Sequence, residues 1–105
     1  GFSQGCMISL LTGIKRKKKI NSIIGYSGKI IDEEHLQNNI NSRPNIILMH
    51  GDKDEIVPVN FLLEAKSFFS KNNYKIETNI LKNCEHRIPS EGSSLGLKFL
   101  KKNLY

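Results

Sequence analysis

Apolar and polar residues follow two spacings along this chain, one typical of strands and one typical of helices. The stretch at residues 45–49, which is apolar after Asn45, and apolar positions within 20–26 and 76–81 predict three β-strands. Helical spacing predicts a short helix that follows residue 5 and ends at Gly13 and the basic run beyond it, a second helix over 61–72 and a last helix from about Ser90. The polar segment 32–43 is interpreted as a loop or a short helix.

Single residues refine these predictions. Asn60 is a good N-cap for the second helix, and Asn72-Asn73 should close it. The last helix should turn its apolar residues toward the core. These are Leu95, Leu97, Phe99, Leu100 and Leu104.

The alternation of helices and strands predicts an α/β fold, with about three parallel strands joined by right-handed crossovers and flanked by helices. In such sheets, catalytic groups lie at the carboxyl ends of the strands. This edge of the sheet is therefore where the sequence predicts chemistry.

Composition indicates one globular domain in a reducing compartment. The chain has 105 residues, of which 38% are hydrophobic and 25% charged. No apolar run approaches the roughly 18 to 20 residues that span a bilayer, so stable membrane insertion is not predicted. Cys6 and Cys84 belong to no C-x-x-C pair, which favours reduced thiols and a cytoplasmic location. Cys6 is interpreted as a packing residue rather than an oxidation sensor.

The net charge of +6 includes a basic run at residues 15–19. This run follows a predicted helix, where cations are favoured by the helix dipole, and it has no interleaved aromatic residues for stacking on bases. A solvated helix end is preferred and nucleic acid is not expected as a partner. A small basic binding module stays open as an alternative function.

Three segments carry candidate chemistry. Residues 1–5 read Gly-Phe-Ser-Gln-Gly, the G-x-S-x-G pattern of a nucleophile elbow, although no strand is predicted before it. Asp54 follows the strand at 45–49, and His86 follows the strand at 76–81. Ser3, Asp54 and His86 thus occur in the chain order of an α/β-hydrolase triad. Asp52 and Glu55 are close enough in sequence to compete with Asp54.

A metal site is not predicted beside His86. Cys84 and His86 are two positions apart, and His35 and His50 lie in unrelated segments, so zinc-ligand spacing is missing. His50 is interpreted as a structural residue at a strand end.

Together these segments resemble the phospholipase/carboxylesterase family of α/β hydrolases, relatives of the acyl-protein thioesterases. The motifs are Gly-Phe-Ser-Gln-Gly at 1–5, His-Gly-Asp-Lys-Asp-Glu-Ile-Val-Pro-Val at 50–59 and His-Arg-Ile-Pro-Ser-Glu-Gly at 86–92. The resemblance covers nearly the whole chain and corresponds to the second half of the family's domain. It therefore implies a partial α/β-hydrolase fold in which residues 1–105 form the C-terminal portion of one domain.

The resemblance implies roles for four residues. Ser3 is the nucleophile, His86 is the general base and then acid, and Asp54 orients the imidazole. The backbone N–H of Gln4 is one donor of the oxyanion hole. No cofactor or metal is implied, and the implied substrates are small acyl esters, lysophospholipids or acylated proteins.

Two further expectations follow from the missing half of the domain. The chain is either an active esterase or thioesterase, or a catalytically inactive C-terminal fragment that needs a partner half. If the sheet keeps its usual order, the strand at 20–26 has an open apolar edge, which predicts self-association.

Overall fold

The computed structural model describes residues 1–104 as alternating helices and strands. In chain order the elements are α1 (Gln4–Lys15), β1 (Ser22–Tyr26), α2 (Glu33–Gln37), β2 (Asn45–Gly51), α3 (Asn60–Lys71), β3 (Ile76–Leu81) and α4 (Ser90–Leu104). The predicted order is confirmed, and the polar segment 32–43 contains the short helix α2. No helix within residues 1–104 is both long and apolar enough to cross a bilayer.

The three strands form one parallel sheet in the order β1-β2-β3. Central β2 is buried from Ile46 to Gly51, as expected of a strand covered on both faces. Because the strands are parallel, the loops that follow them all emerge at the same edge. The predicted α/β class, with three parallel strands and flanking helices, is confirmed.

Helices cover both faces of this sheet. On one face, α1, α2 and α3 pack on β1 and β2 around Leu10, Leu36 and Phe69. On the other face, α4 packs through Phe99 against Ile47 and neighbouring residues. β2 therefore lies between two apolar clusters and contributes residues to both.

The outer edge of β1 is only partly covered. Phe2 pairs in parallel with Tyr26, and the amino group of Gly1 donates to the carbonyl oxygen of Ile24 at 2.7 Å. Beyond this contact, a groove of about 410 Å³ runs between α1 and β1, with Ile8 and Ile23 in its lining. Gly1 and Phe2 thus meet the edge of β1 through one isolated bridge and its hydrogen bonds, and these two residues do not form a strand.

Several sequence-based boundaries are wrong for reasons of packing. Helix α1 continues past Gly13 to Lys15, because Gly13 is a buried contact with Ile23 rather than a helix end. Val59, not Asn60, precedes the first residue of α3, and its backbone is already helical. β1 starts at Ser22 rather than at residue 20.

Two leucines of α4 were expected to face the core and do not. Leu97 is 54% exposed and Leu104 is 51% exposed, whereas Phe99 is 5% exposed. A single stripe of this helix reaches the sheet, and Leu97 and Leu104 share the opposite, solvent-facing stripe.

Candidate active site

Ser3 occupies a strained turn between the contact with β1 and the start of α1. Its φ is 54° and its ψ is −119°, a backbone conformation that non-glycine residues rarely adopt. The turn is held by the Ser3 N–H, which donates to the Tyr26 carbonyl at 2.8 Å, and by the Gly5 N–H, which donates to the Phe2 carbonyl at 2.8 Å. A side chain at Gly1 would collide with the backbone of Gly5, so glycine is required there.

His86 connects the two other candidate residues. Its Nε2 lies 2.9 Å from Ser3 Oγ, and its Nδ1 lies 2.7 Å from Asp54 Oδ2. An ionised carboxylate can only accept, so Nδ1 carries the proton and Nε2 is left to accept from the serine hydroxyl. The structure thus brings together the three side chains that the sequence singled out.

Asp54 is held by more than the histidine. Its Oδ1 accepts from the backbone N–H groups of Ile56 and Val57 at 2.9 and 2.8 Å. Burial by itself raises the pKa of Asp54, but the hydrogen bonds from His86, Val57 and Ile56 outweigh it and hold the pKa below its usual value. The carboxylate is therefore ionised where it faces the imidazole.

The two competing acids have other positions. Asp52 Oδ1 accepts from the backbone N–H of Cys84 at 3.2 Å, and Glu55 is exposed. The Lys53 N–H donates to the Cys84 carbonyl at 2.9 Å, so the loops that carry Asp54 and His86 are tied to each other. Gly51 allows this contact, since a Cβ there would collide with the backbone at Cys84.

His50 is the structural residue at a strand end that the sequence indicates, and its contacts extend to the loop that carries Asp54. It is 1% exposed, and its Nε2 lies 2.6 Å from the Val57 carbonyl oxygen and 3.5 Å from Asp54 Oδ2. The carbonyl is an acceptor, so Nε2 carries a proton. Its contact with Asp54 was not predicted, and the spacing of four positions between the two residues is the signal that could have indicated it.

Phe2 covers one side of the His86 ring. The two ring centroids are 4.9 Å apart, with the planes tilted by 39°. The imidazole is thereby held between an aromatic ring, a carboxylate and a hydroxyl, which limits its rotation.

The Gln4 amide lies at the N-terminus of α1, directly after Ser3. Gln4 is the first residue of α1, so its N–H has no acceptor four residues earlier in the helix, and the helix dipole favours negative charge at this end.

The two cysteines are buried packing residues. Burial raises the pKa of Cys6 to about 11 and also raises the pKa of Cys84. Cys6 Sγ lies against Gly25 and Gly28, where a Cβ would collide with it. This supports the interpretation of Cys6 as a packing residue. Within residues 1–104, no three His, Cys, Asp or Glu side chains are grouped closely enough to hold a metal ion.

Comparison with known proteins gives concordant matches. The family profile described as phospholipase/carboxylesterase matches residues 1–104. Acyl-protein thioesterase 1 of Saccharomyces cerevisiae is 34% identical over 113 residues, which cover 99% of this chain and 48% of the yeast protein. Acyl-protein thioesterase 1 of Aspergillus fumigatus is 39% identical over 66 residues, covering 58% of this chain and 27% of the fungal protein.

Solved structures show the same fold. The crystal structure of esterase PE8 superposes with a TM-score of 0.95 and 33% identity, over 98% of this chain and 48% of that chain. Acyl-protein thioesterase 2 of Zea mays superposes with a TM-score of 0.89 at 19% identity, over 100% of this chain and 55% of that chain. The chain thus spans about half the length of the yeast relative and of these solved structures.

Proposed function

The chain belongs to the phospholipase/carboxylesterase family, and we propose that it is a serine hydrolase that cleaves carboxylic esters or thioesters through an acyl-enzyme on Ser3. His86 serves as general base and then as general acid, and Asp54 orients the imidazole. The observation that carries this proposal is the His86 ring, which lies within hydrogen-bond distance of both Ser3 Oγ and Asp54 Oδ2.

The first half of the reaction transfers the acyl group to Ser3. Ser3 Oγ attacks the carbonyl carbon while its proton passes to His86 Nε2, which gives an oxyanion beside the Gln4 N–H. The imidazolium is stabilised by ionised Asp54. Collapse of the tetrahedral intermediate breaks the bond to the leaving oxygen or sulfur, and His86 returns the proton to that atom.

The second half regenerates the serine. Water attacks the acyl carbon and gives its proton to His86 Nε2, and a second oxyanion forms at the same place. When this intermediate collapses, the bond to Ser3 Oγ breaks, the carboxylic acid leaves and the proton returns to Oγ. Nucleophile, base and orienting acid suffice for these steps, so no cofactor or metal is invoked.

Substrate class is proposed from the relatives' names together with the site. Curated relatives are acyl-protein thioesterases, and one structural neighbour is an esterase. We therefore propose acylated proteins, lysophospholipids or small acyl esters as substrates of this chain. The cytoplasm is the proposed location, consistent with two free, buried cysteines.

A fluorophosphonate probe tests the nucleophile directly. The purified chain is treated with the probe and its intact mass is measured, beside Ser3→Ala and a matched control, Ser93→Ala, at an exposed serine of α4. One adduct on the parent and on Ser93→Ala, but none on Ser3→Ala, is expected. An equal adduct on Ser3→Ala would refute Ser3 as the nucleophile.

A second candidate is an inactive C-terminal portion that needs a partner half. It is favoured by two observations: the chain spans about half of the yeast relative, and the groove along β1 leaves part of a strand edge uncovered. A folded parent chain without adduct, which gains one when the first half of the yeast thioesterase is co-expressed, would support this candidate. Labelling of the chain alone would exclude it.

The uncovered edge also leads us to propose self-association. Ser22 and Ile24 of β1 line the groove together with exposed Ile8, and the strand edge beside this groove is open to a second copy. Sedimentation velocity at several concentrations should show dimers or larger species. A single monomer across the range would contradict this proposal.

A further inference from the structure

The charge of the chain is distributed unevenly between the two ends of the sheet. The loop after α1, the starts of β2 and β3, and the ends of α3 and α4 lie at the end opposite the triad, and together we call them the basic end. Its basic residues are residues 15–19, Arg43, Lys71, Lys75, Lys98, Lys101 and Lys102. The one acidic residue of these segments is Glu77, which pairs with Lys102.

Contacts across the basic end show that these segments are neighbours. The Asn41 side chain donates to the Lys15 carbonyl at 2.9 Å, and the Asn21 side chain donates to the Asn103 carbonyl at 3.1 Å. A groove of about 330 Å³ lies between Lys75, Lys102 and their neighbours. The segments that carry these lysines are therefore neighbours at one end of the molecule.

The opposite end has the reverse balance. The loops that follow the three strands, with the first turns of α2 and α4, carry most of the acidic residues of the chain. These are Asp32, Glu33, Glu34, Asp52, Asp54, Glu55, Glu85 and Glu91. The net charge of +6 is thus the sum of a strongly positive end and an acidic end, and the acidic end contains the triad.

The exposed stripe of α4 adds apolar residues to the basic end. Leu97, Lys101 and Leu104 follow one another at helical spacing on the solvent-facing side of the last two turns. The earlier turns of this side carry Ser90, Ser93 and Ser94 instead. Leucines flanked by lysines on one helix face are typical of segments that lie in a membrane interface.

We propose that the basic end and the Leu97–Leu104 stripe of α4 form a docking surface for anionic phospholipid membranes. The lysines bind the headgroups by charge, and the two leucines enter the boundary with the acyl chains. This is adsorption to the surface rather than insertion. With α4 against the bilayer, the triad lies at the side of the molecule and stays open to substrate.

Lipid fits this surface better than nucleic acid does. Lysine predominates over arginine here, and within residues 1–104 the exposed large apolar residues of this surface are Leu97 and Leu104 rather than aromatic rings on which bases stack. Arg43, one of the two arginines, lies over the Tyr74 ring and donates to the Asn72 carbonyl, so it is already bound within the fold.

Vesicle flotation tests the proposal without any need for catalysis. The 105-residue chain is mixed with phosphatidylcholine vesicles that contain about a third phosphatidylserine, and with vesicles of phosphatidylcholine alone. Binding is expected only to the anionic vesicles and should weaken with added salt. Binding to neither vesicle, or equally to both, would overturn the proposal.

Two matched pairs of variants separate charge from apolar contact. The triple change Lys17→Gln, Lys18→Gln and Lys19→Gln should lower the partition coefficient about 100-fold, since each lysine at an anionic surface is worth about fivefold. The same change at Lys53, Lys66 and Lys82, which are exposed elsewhere, should have little effect. An equal loss in both triples would show that net charge, not this surface, governs binding.

Leu97→Ser with Leu104→Ser should lower vesicle binding about tenfold. Leu63→Ser is the control, because Leu63 has the same 54% exposure as Leu97 but lies on α3. A single-stranded RNA oligonucleotide is tested at the same salt. RNA binding tighter than vesicle binding, with vesicle binding unchanged by the leucine substitutions, would overturn the proposal in favour of nucleic acid.

Discussion

At the scale of single residues, the site depends on which side chain faces the histidine. Asp54, Asp52 and Glu55 lie within four positions of one another, and only the path of the loop after β2 decides among them. The Ile56 and Val57 N–H groups donate to Oδ1 of Asp54, and Oδ2 remains free to accept from His86. Hydrogen bonding within this loop thus determines that Asp54, and neither of the other two acids, contacts His86.

Replacing Asp54 by asparagine should remove most of the reactivity of Ser3. An amide can donate to Nδ1 and favours the tautomer whose Nε2 carries a proton, so Nε2 no longer accepts from the serine. We expect the fluorophosphonate labelling rate of Asp54→Asn to fall by about 10³- to 10⁴-fold. Asp52→Asn is the control, since an amide oxygen can still accept from Cys84, and it should lose less than about tenfold. Equal rates for the two variants would contradict the assignment.

Substitution of His50 should weaken both the fold and the site. His50→Leu leaves the Val57 carbonyl without its buried donor, which should lower the free energy of unfolding by about 1–3 kcal/mol. The loop that holds Asp54 then loses one support, so labelling should also slow. Urea unfolding and probe kinetics measure the two effects, with His35→Leu at an exposed histidine as the control. A His50 variant as stable and as reactive as the control would show that this contact is dispensable.

At the scale of elements, Gly5 of α1 and Gly25 of β1 differ in how closely other atoms pack against them. Gly5 has no neighbouring atoms within reach of an added Cβ, whereas Gly25 faces Cys6 Sγ and Leu48. The close approach of α1 to β1, which holds the turn at Ser3, therefore depends on Gly25. A sequence pattern shows both as glycines and cannot tell them apart.

The two glycines should respond in opposite directions to alanine. Gly5→Ala should stabilise the chain by about 0.5–1 kcal/mol through helix propensity. Gly25→Ala should destabilise it by about 1–3 kcal/mol because the core there is already filled. Thermal unfolding followed by circular dichroism measures both. A loss of stability in Gly5→Ala would mean that the turn at Ser3 needs this glycine for its own geometry.

The elements themselves were largely predictable, and their ends were not. The helical spacing of apolar residues predicted α3, and the apolar run after Asn45 predicted β2. Burial against other elements produces both patterns in a sequence. The sequence predicts a helix end at Gly13 because glycine commonly ends helices, but in the structure its small size allows a close contact with Ile23 that no local pattern shows. The prediction that Leu97 and Leu104 face the core is wrong because the sequence does not show how narrow the contact of α4 with the sheet is.

At the scale of the whole molecule, the fold creates properties that no segment shows alone. The sequence contains one basic run at residues 15–19, and only parallel packing brings Arg43, Lys75 and the end of α4 to the same end of the sheet. The triad was more accessible to prediction, because strand order places all three residues at one edge. The directions of the hydrogen bonds in the triad and the contact of His50 with Asp54 are visible only in the three-dimensional structure.

Stability should fall at alkaline pH through Cys6. Burial raises the pKa of its thiol from 9.0 to about 11, so its contribution is fully present below pH 9.0 and is lost as the pH rises through about 11. Urea unfolding at pH 8 and at about pH 11 should therefore show a larger decline for the parent than for Cys6→Ala. Parallel declines in the two proteins would show that the thiol does not couple to folding.

The position of β2 between two apolar clusters also determines how the molecule exchanges its amide hydrogens with solvent. If the helices on one face of the sheet detach, β2 stays paired with its neighbouring strands and covered by the helices on the other face. Its amides can therefore exchange only when the whole domain unfolds. Mass spectrometry or NMR in deuterated water should find the slowest exchange at residues 46–50, with a free energy equal to that of global unfolding. The Ser3 N–H, held by one bond to Tyr26, should exchange far sooner. Faster exchange in β2 than in β1 would show that the sheet opens from its centre.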